Sequence, residues 1–149
     1  MQTWTLDQQV DHRRELIAAL RSGDYKQGFY RLKADLGDGT IVHCCLGVAC
    51  ELSNLGAWND HLFYVVSEFS SAVTSLNPDV QAYYGFKTGS GNFNVPGAIE
   101  NDPEYYGFND SLMGCNDNAM MTFSQIADLI EYEMPELFIQ MQDEISTDN

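Results

Sequence analysis

The stretch Ile41-Val42-His43-Cys44-Cys45-Leu46-Gly47-Val48-Ala49-Cys50-Glu51-Leu52 changes from the alternation of a β-strand to the apolar spacing of an α-helix. It follows the turn sequence Gly37-Asp38-Gly39, which predicts a β-hairpin with the preceding segment 28–36. The helical part contains Gly47, which allows close packing against a neighbour, and is followed by Gly56, a typical residue after a helix. The stretch therefore predicts a hairpin that leads directly into a short core helix.

Two further helices are predicted before and after this stretch. Asp7 can cap a helix over residues 8–21, which Ser22-Gly23 ends. Asn77-Pro78 is a typical helix start, and Gly85 would close that short helix.

Near the end of the chain, Thr122-Phe123-Ser124-Gln125 forms a capping box. It predicts a helix over residues 123–133, which Pro135 breaks. A last helix is expected over residues 136–145.

The chain is expected to be a single α+β domain over residues 1–149, compact and mostly helical, with a β-hairpin or small antiparallel sheet. A short strand is predicted over residues 62–66, although the same segment could begin a helix that continues to Leu76. Residues 87–110 are rich in Gly, Asn, Asp and Pro, which predicts a long loop, and residues 146–149 are expected to be a frayed tail.

The net charge of −15 is distributed unevenly. Residues 1–33 contain six of the seven lysines and arginines and four acidic residues, a balance of +2. Residues 34–149 contain Lys87 and 18 acidic residues, a balance of −17. Such a surface repels nucleic acid, so binding to DNA or RNA is disfavoured. The acidic part either keeps the protein soluble or docks on a basic partner, whereas the basic segment can hold an anionic ligand.

Targeting signals are not evident. No apolar run approaches the roughly 20 residues that span a bilayer, and the N-terminus lacks a signal-peptide pattern. We therefore expect a cytoplasmic protein with reduced cysteines and no membrane contact.

Cys44 and Cys45 lie where the predicted strand meets the predicted helix. A helix N-terminus favours the thiolate, and His43 or His61 could act as a base, which would give a cysteine-dependent hydrolase. The same cysteines also fit the buried stripe of a core helix, which is the simpler interpretation. The cysteine spacing does not match a zinc site, and we expect no metal and no cofactor.

The segment after the first helix offers a candidate ligand-binding site. Tyr25 can stack on a ring, Lys26 can contact a phosphate, and the amide of Gln27 can contact a base edge. Arg31 and Lys33 have the spacing of two residues that would place them on the same side of the next strand, and Arg21 lies at the end of the helix. We therefore expect a binding set of Arg21, Tyr25, Lys26, Gln27, Arg31 and Lys33.

The acidic and amide residues at 116–118 could suggest calcium. The alternating oxygen ligands and distal Glu of an EF-hand loop are missing, however. We interpret Asn116-Asp117-Asn118 as a polar turn before a helix cap.

Three blocks in this order resemble a family of small uncharacterised proteins of tailed phages and prophages: residues 19–28 (ALRSGDYKQG), residues 44–52 (CCLGVACEL), and Asn116-Asp117 followed by residues 122–131 (TFSQIADLIE). The chain departs from the family pattern at Glu51, where Asp is usual, and in a Gly- and Asn-rich insert between Phe86 and Leu112. The resemblance implies an accessory protein in the cytoplasm of an infected bacterial host.

Three functions remain open from these observations. The first is a binding protein that counteracts a host defence by sequestering a small anionic, nucleotide-derived immune signal, as a possible homodimer or higher homo-oligomer. The second is an acidic inhibitor or nucleic-acid mimic that docks on a basic host protein. The third is the cysteine-dependent hydrolase.

Overall fold

The computed structural model describes residues 3–65, 70–95 and 110–139, and these contain five helices and five short strands. The helices are α1 (Leu6–Ser22), α2 (Cys45–Ser53), α3 (Pro78–Tyr84), α4 (Leu112–Asp117) and α5 (Phe123–Tyr132). The strands are β1 (Lys33–Asp35), β2 (Ile41–His43), β3 (Ala57–Asn59), β4 (Leu62–Val65) and β5 (Ser70–Ala72).

Both sheets of the described residues are antiparallel. The predicted hairpin is confirmed as β1–β2, with Ala34 opposite Val42, although its strands are short. The second sheet has the order β3-β4-β5, and its central strand carries the buried Phe63. The described residues thus combine five helices with two separate antiparallel sheets, and more of them are helical than in strands. The expected α+β class is confirmed.

Helix α1 begins two residues earlier than predicted. Thr5, not Asp7, is the N-cap, and it forms a capping box with Gln8. Asp7 lies in the first turn, where its charge complements the helix dipole. Gly23 ends the helix in the left-handed conformation, as expected.

Helix α2 lies at the centre of the core, with its residues from Cys45 to Cys50 all buried. A Cβ atom on Gly47 would lie 1.7 Å from the carbonyl oxygen of Leu32, so this position accommodates only glycine. The predicted end at Gly56 is wrong: Asn54 takes the left-handed conformation at the C-cap. Gly56 is instead covered by the backbone of Tyr64.

The predicted capping box of α5 is confirmed at Thr122 and Gln125. Glu133 ends this helix in the left-handed conformation. The helix expected over residues 136–145 is wrong for its described part, because residues 136–139 are not helical and Glu136 has φ 69°. Leu137 and Phe138 instead enter the core. Residues 140–145 lie outside the described residues.

The expected long loop is described only at its two ends, over residues 87–95 and at Asp110. This part contains no helix or strand, and it is fixed to α4 by a hydrogen bond from Leu112 N to Gly91 O (2.9 Å). Residues 96–109 and the expected tail at 146–149 lie outside the described residues.

The core joins elements from the two ends of the chain. Helix α1 packs against α5, α2 and α3, and its residues Leu16 and Leu20 are buried. Arg13 is buried on the same face, where its Nε donates to the carbonyl of Tyr84 (2.6 Å). Across the described ranges, no helix combines the length and the apolar character that crossing a membrane requires.

Candidate ligand-binding site

A groove of about 430 Å³ lies beside the hairpin. It is lined by Asp24, Tyr25, Lys26, Gly39, Thr40, Ile41 and His43. The groove exists because the chain after α1 pairs with the backbone of His43, whose N–H donates to Lys26 O (2.9 Å) and whose carbonyl accepts from Gly28 N (2.7 Å). A Cβ atom on Gly28 would lie 2.5 Å from Val42 Cγ2, so glycine is required for this approach.

His43 forms the inner wall of the groove, with its side chain 8% exposed. Its ring makes edge contacts with Tyr25 and Trp58, at centroid distances of 5.5 and 5.9 Å. Among the described residues the buried Nε2 atom has no hydrogen-bond partner, and it lies 3.8 Å from Glu51 Oε1, too far for a hydrogen bond. Burial lowers the pKa of His43, and the nearby Glu51 only partly opposes this effect. The imidazole is therefore neutral at neutral pH.

Glu51 and Trp58 support this wall from behind. Glu51 Oε2 accepts a hydrogen bond from Trp58 Nε1 (3.0 Å), which fixes both side chains. Lys33 Nζ lies 5.0 Å from the centroid of the Trp58 ring, on its face. Burial raises the pKa of Tyr25, and the charges of Glu51 and Asp24 add to this effect. The back of the groove is thus aromatic and bordered by charges of both signs.

The six predicted binding residues do not lie together in the structure. Tyr25 and Lys26 line the groove, and Lys33 lies behind it over Trp58. Arg31 is exposed and precedes β1, so it does not share a strand face with Lys33 as expected.

Arg21 and Gln27 are engaged elsewhere. Arg21 forms ion pairs with Asp128 (2.6 Å) and Glu131 (3.1 Å) on α5, and these raise its pKa. The Gln27 amide donates to Asn116 Oδ1 (2.8 Å) and to the carbonyl of Met121 (2.7 Å). Both residues therefore stabilise the fold rather than the groove.

The sequence marks His43 as a candidate base for a cysteine, but it gives no sign that Thr40, Glu51 and Trp58 would lie at or behind the groove with it. His43 and Glu51 are eight residues apart, on a strand and the following helix, and Trp58 lies in a different sheet. Tertiary packing brings these three residues together, and no local sequence pattern indicates that they will be in contact.

The cysteines are core residues. All four are buried, and none of them forms a disulfide bond within the part of the chain that the structure describes. Burial raises the pKa of Cys44 to about 11 and that of Cys115 to about 12, and it raises the pKa of Cys45 and Cys50 well above its usual value. Cys44 is the N-cap of α2, yet the desolvation of its thiol outweighs the backbone N–H groups that favour the thiolate. This burial disfavours the nucleophile hypothesis.

The other two residues of the nucleophile hypothesis, Cys45 and His61, contact groups outside the proposed catalytic set. The Cys45 thiol lies 3.5 Å from the carbonyl of Leu112, to which it donates. His61 lies in the turn between β3 and β4, where Nδ1 is 3.4 Å from Asp60 Oδ2. Within residues 3–65, 70–95 and 110–139, no group of three or more His, Cys, Asp or Glu side chains is arranged to hold a metal ion.

The interpretation of residues 116–118 as a turn is wrong for the first two residues, whereas Asn118 lies in the turn that follows α4. Asn116 and Asp117 belong to α4, and Asn116 is completely buried. Its Oδ1 accepts from Gln27 Nε2 and from Cys45 N (3.2 Å), and its Nδ2 donates to Gly28 O (2.9 Å). One amide therefore connects the loop below the groove, the start of α2 and α4. This role needs long-range contacts, which the sequence does not reveal.

Comparisons with known proteins give a family and no closer relative. Neither the curated proteins nor the solved structures include a significant match to this chain. Residues 7–134 match a family model described as a domain of unknown function, DUF8296, and this range contains every residue of the groove. The chain belongs to the DUF8296 family.

Proposed function

We propose that this protein binds a small anionic, nucleotide-like ligand in the groove beside the hairpin and sequesters it without chemical turnover. The observation that carries the proposal is Lys26, which lines the groove next to Tyr25 and forms no ion pair with any described carboxylate. Four of the seven cations, in contrast, are paired with carboxylates: Arg13, Arg14, Arg21 and Lys87.

The lining of the groove supplies the groups that such a ligand needs. Its volume of about 430 Å³ lies within the usual range of small-molecule sites. Lys26 would hold a phosphate, while the half-buried ring of Tyr25 offers an apolar face to a base or ribose. The unpartnered Nε2 of the buried His43 is a polar atom for which a ligand or a bound water could supply the missing hydrogen bond.

A biological role follows from the resemblance to phage and prophage proteins. A protein of this kind would act in the cytoplasm of an infected bacterium, where capture of a nucleotide-derived immune signal would counteract a host defence. Capture needs affinity alone, and a second copy of the chain could close the groove. The burial of the cysteines supports binding over cysteine hydrolysis.

Thermal unfolding in the presence of cyclic and linear nucleotides tests this proposal. A ligand at about 100 times its Kd stabilises the native state by about 2.7 kcal/mol, which raises Tm by several degrees. Lys26→Glu should abolish the shift and leave the Tm of the free protein close to that of the wild type, because Lys26 is exposed.

Arg31→Glu is the matched control, since it reverses an exposed cation outside the groove. It should keep the ligand-induced shift. A panel without any shift, or equal loss of the shift in both variants, would contradict the assignment of the groove.

A further inference from the structure

Tyr30 is an exposed aromatic residue in a strained backbone conformation. Its φ is 68°, in the left-handed region, and 63% of its surface is exposed. Bulky residues rarely adopt this conformation, and such strain persists only where the surrounding contacts fix it. An exposed side chain gains little from burial, so neither packing nor sequence preference explains this conformation.

Helix α4 holds Tyr30 in place. The backbone N–H of Tyr30 donates to Asp117 Oδ1 (2.9 Å), and the same oxygen accepts from Asn116 Nδ2 (2.9 Å). Asn116 is buried and also binds the carbonyl of Gly28. The backbone of Tyr30 is thus held by a network that extends into the core, which keeps the residue at the edge of α4 for contact with another molecule.

A cavity of about 280 Å³ lies beside this ring. It is lined by Tyr30, Thr74, Met113, Gly114, Asp117 and Asn118. An aromatic ring and a carboxylate together favour a cation, and the Met113 thioether can pack on the aliphatic stem of a long basic side chain. None of the ion pairs among the described residues uses Asp117, so its charge is available to a partner.

We infer that this cavity receives a lysine or arginine side chain of a basic partner protein. The charge of the chain fits such a partner, because residues 34–149, which supply five of the six lining residues, carry a balance of −17. The long-range field would attract the partner, and the cavity would fix one side chain as an anchor. This site does not depend on the groove or on the proposed ligand.

Binding of a fluorescently labelled hexalysine peptide at low ionic strength tests the inference, with hexaglutamate as the negative probe. Tyr30→Gly removes the ring at a position whose backbone suits glycine, so the variant should fold with an unchanged or higher Tm. It should bind hexalysine about fivefold more weakly. Asp117→Asn, which keeps an oxygen acceptor for the backbone of Tyr30, should weaken binding to a similar extent.

Two matched controls separate this site from general attraction to an acidic surface. Tyr132 is 64% exposed and lies between Glu131 and Glu133, so Tyr132→Ala removes an equally exposed ring next to acidic residues. Glu15→Gln removes one negative charge from an exposed position on α1. Both should change the affinity less than twofold. Absence of hexalysine binding, unchanged affinity of Tyr30→Gly, or an equal loss in the controls would overturn the inference.

Discussion

The segments on either side of the hairpin use their reactive side chains in opposite ways. Residues 44–50 contain three cysteines, and every one of their side chains is buried in the core. Residues 25–33 are divided between the core and the surface. Gly28 and Leu32 are buried, while Lys26, Tyr30 and Arg31 reach solvent.

This difference shows which side chains can contact a ligand or a partner. Burial raises the pKa of each thiol in the cysteine segment and so disfavours its reaction, although this segment is the most conspicuous motif of the sequence. In residues 25–33 the buried members fix the backbone, and two of the exposed members, Lys26 and Tyr30, each border a cavity. Four predictions test this comparison.

The largest effect is expected for Gly47→Ala, which should destabilise the fold by at least about 4 kcal/mol. The added Cβ would lie 1.7 Å from a backbone atom of Leu32, which cannot move without displacing β1. Urea unfolding measures the change. Gly23→Ala is the control: its φ of 80° is unfavourable, but the space around it is open, so it should cost only about 1–2 kcal/mol. Similar losses in the two variants would show that α2 is not tightly packed.

Asn116→Ala should destabilise the protein by about 3 kcal/mol, because it leaves buried groups of Gln27, Cys45 and Gly28 without their partner. Asn118→Ala, two residues later and exposed, should change stability by less than about 0.5 kcal/mol. Urea unfolding of both variants gives the comparison. Equal, small effects would mean that Asn116 does not connect the loop to the core.

The thiols of the native protein should react slowly with iodoacetamide at neutral pH. A pKa of about 11 for Cys44, against a usual value of 9.0, lowers its thiolate fraction about 100-fold, and burial restricts access further. Mass spectrometry of the alkylated protein, with and without urea, measures the difference. One cysteine that reacts rapidly in the native state would restore the nucleophile hypothesis.

The smallest effect concerns pH. Because burial lowers the pKa of His43, the unfolded chain binds this proton at a higher pH than the native state does. The native state should therefore lose stability as the pH falls through about 6.5, and His43→Gln should weaken this dependence. The free energy of unfolding between about pH 7.5 and 5.5 measures it. His61→Gln, at a surface turn, is the comparison, and identical profiles for both variants would contradict the prediction.

Local patterns predicted much of the fold. The turn at residues 37–39, the capping box at Thr122 and the Asn77-Pro78 helix start are each encoded within a few residues, and each is confirmed. The close packing expected at Gly47 is also present. The errors at Asp7 and Gly56 are shifts of element ends, where neighbouring residues compete for the cap.

The candidate site was less predictable. Tyr25 and Lys26, which line the groove, could be suggested from residue type and a turn alone. Gln27 was misassigned because its partner, Asn116, lies 89 residues away, and Arg21 because its partners lie on α5. A side chain that binds within the protein and one that binds a ligand have the same appearance in a sequence, and only the tertiary neighbours distinguish them.

The packing of α1 against α5 also constrains biosynthesis. Helix α1 leaves the ribosome first, but α5, which covers part of its apolar face, follows about a hundred residues later. Until α5 has been synthesised, the nascent chain thus presents part of the apolar face of α1 without its partner, and such exposed apolar surface attracts chaperones and proteases. Fragments that stop before α5 should accordingly be degraded or aggregate rather than accumulate as folded protein.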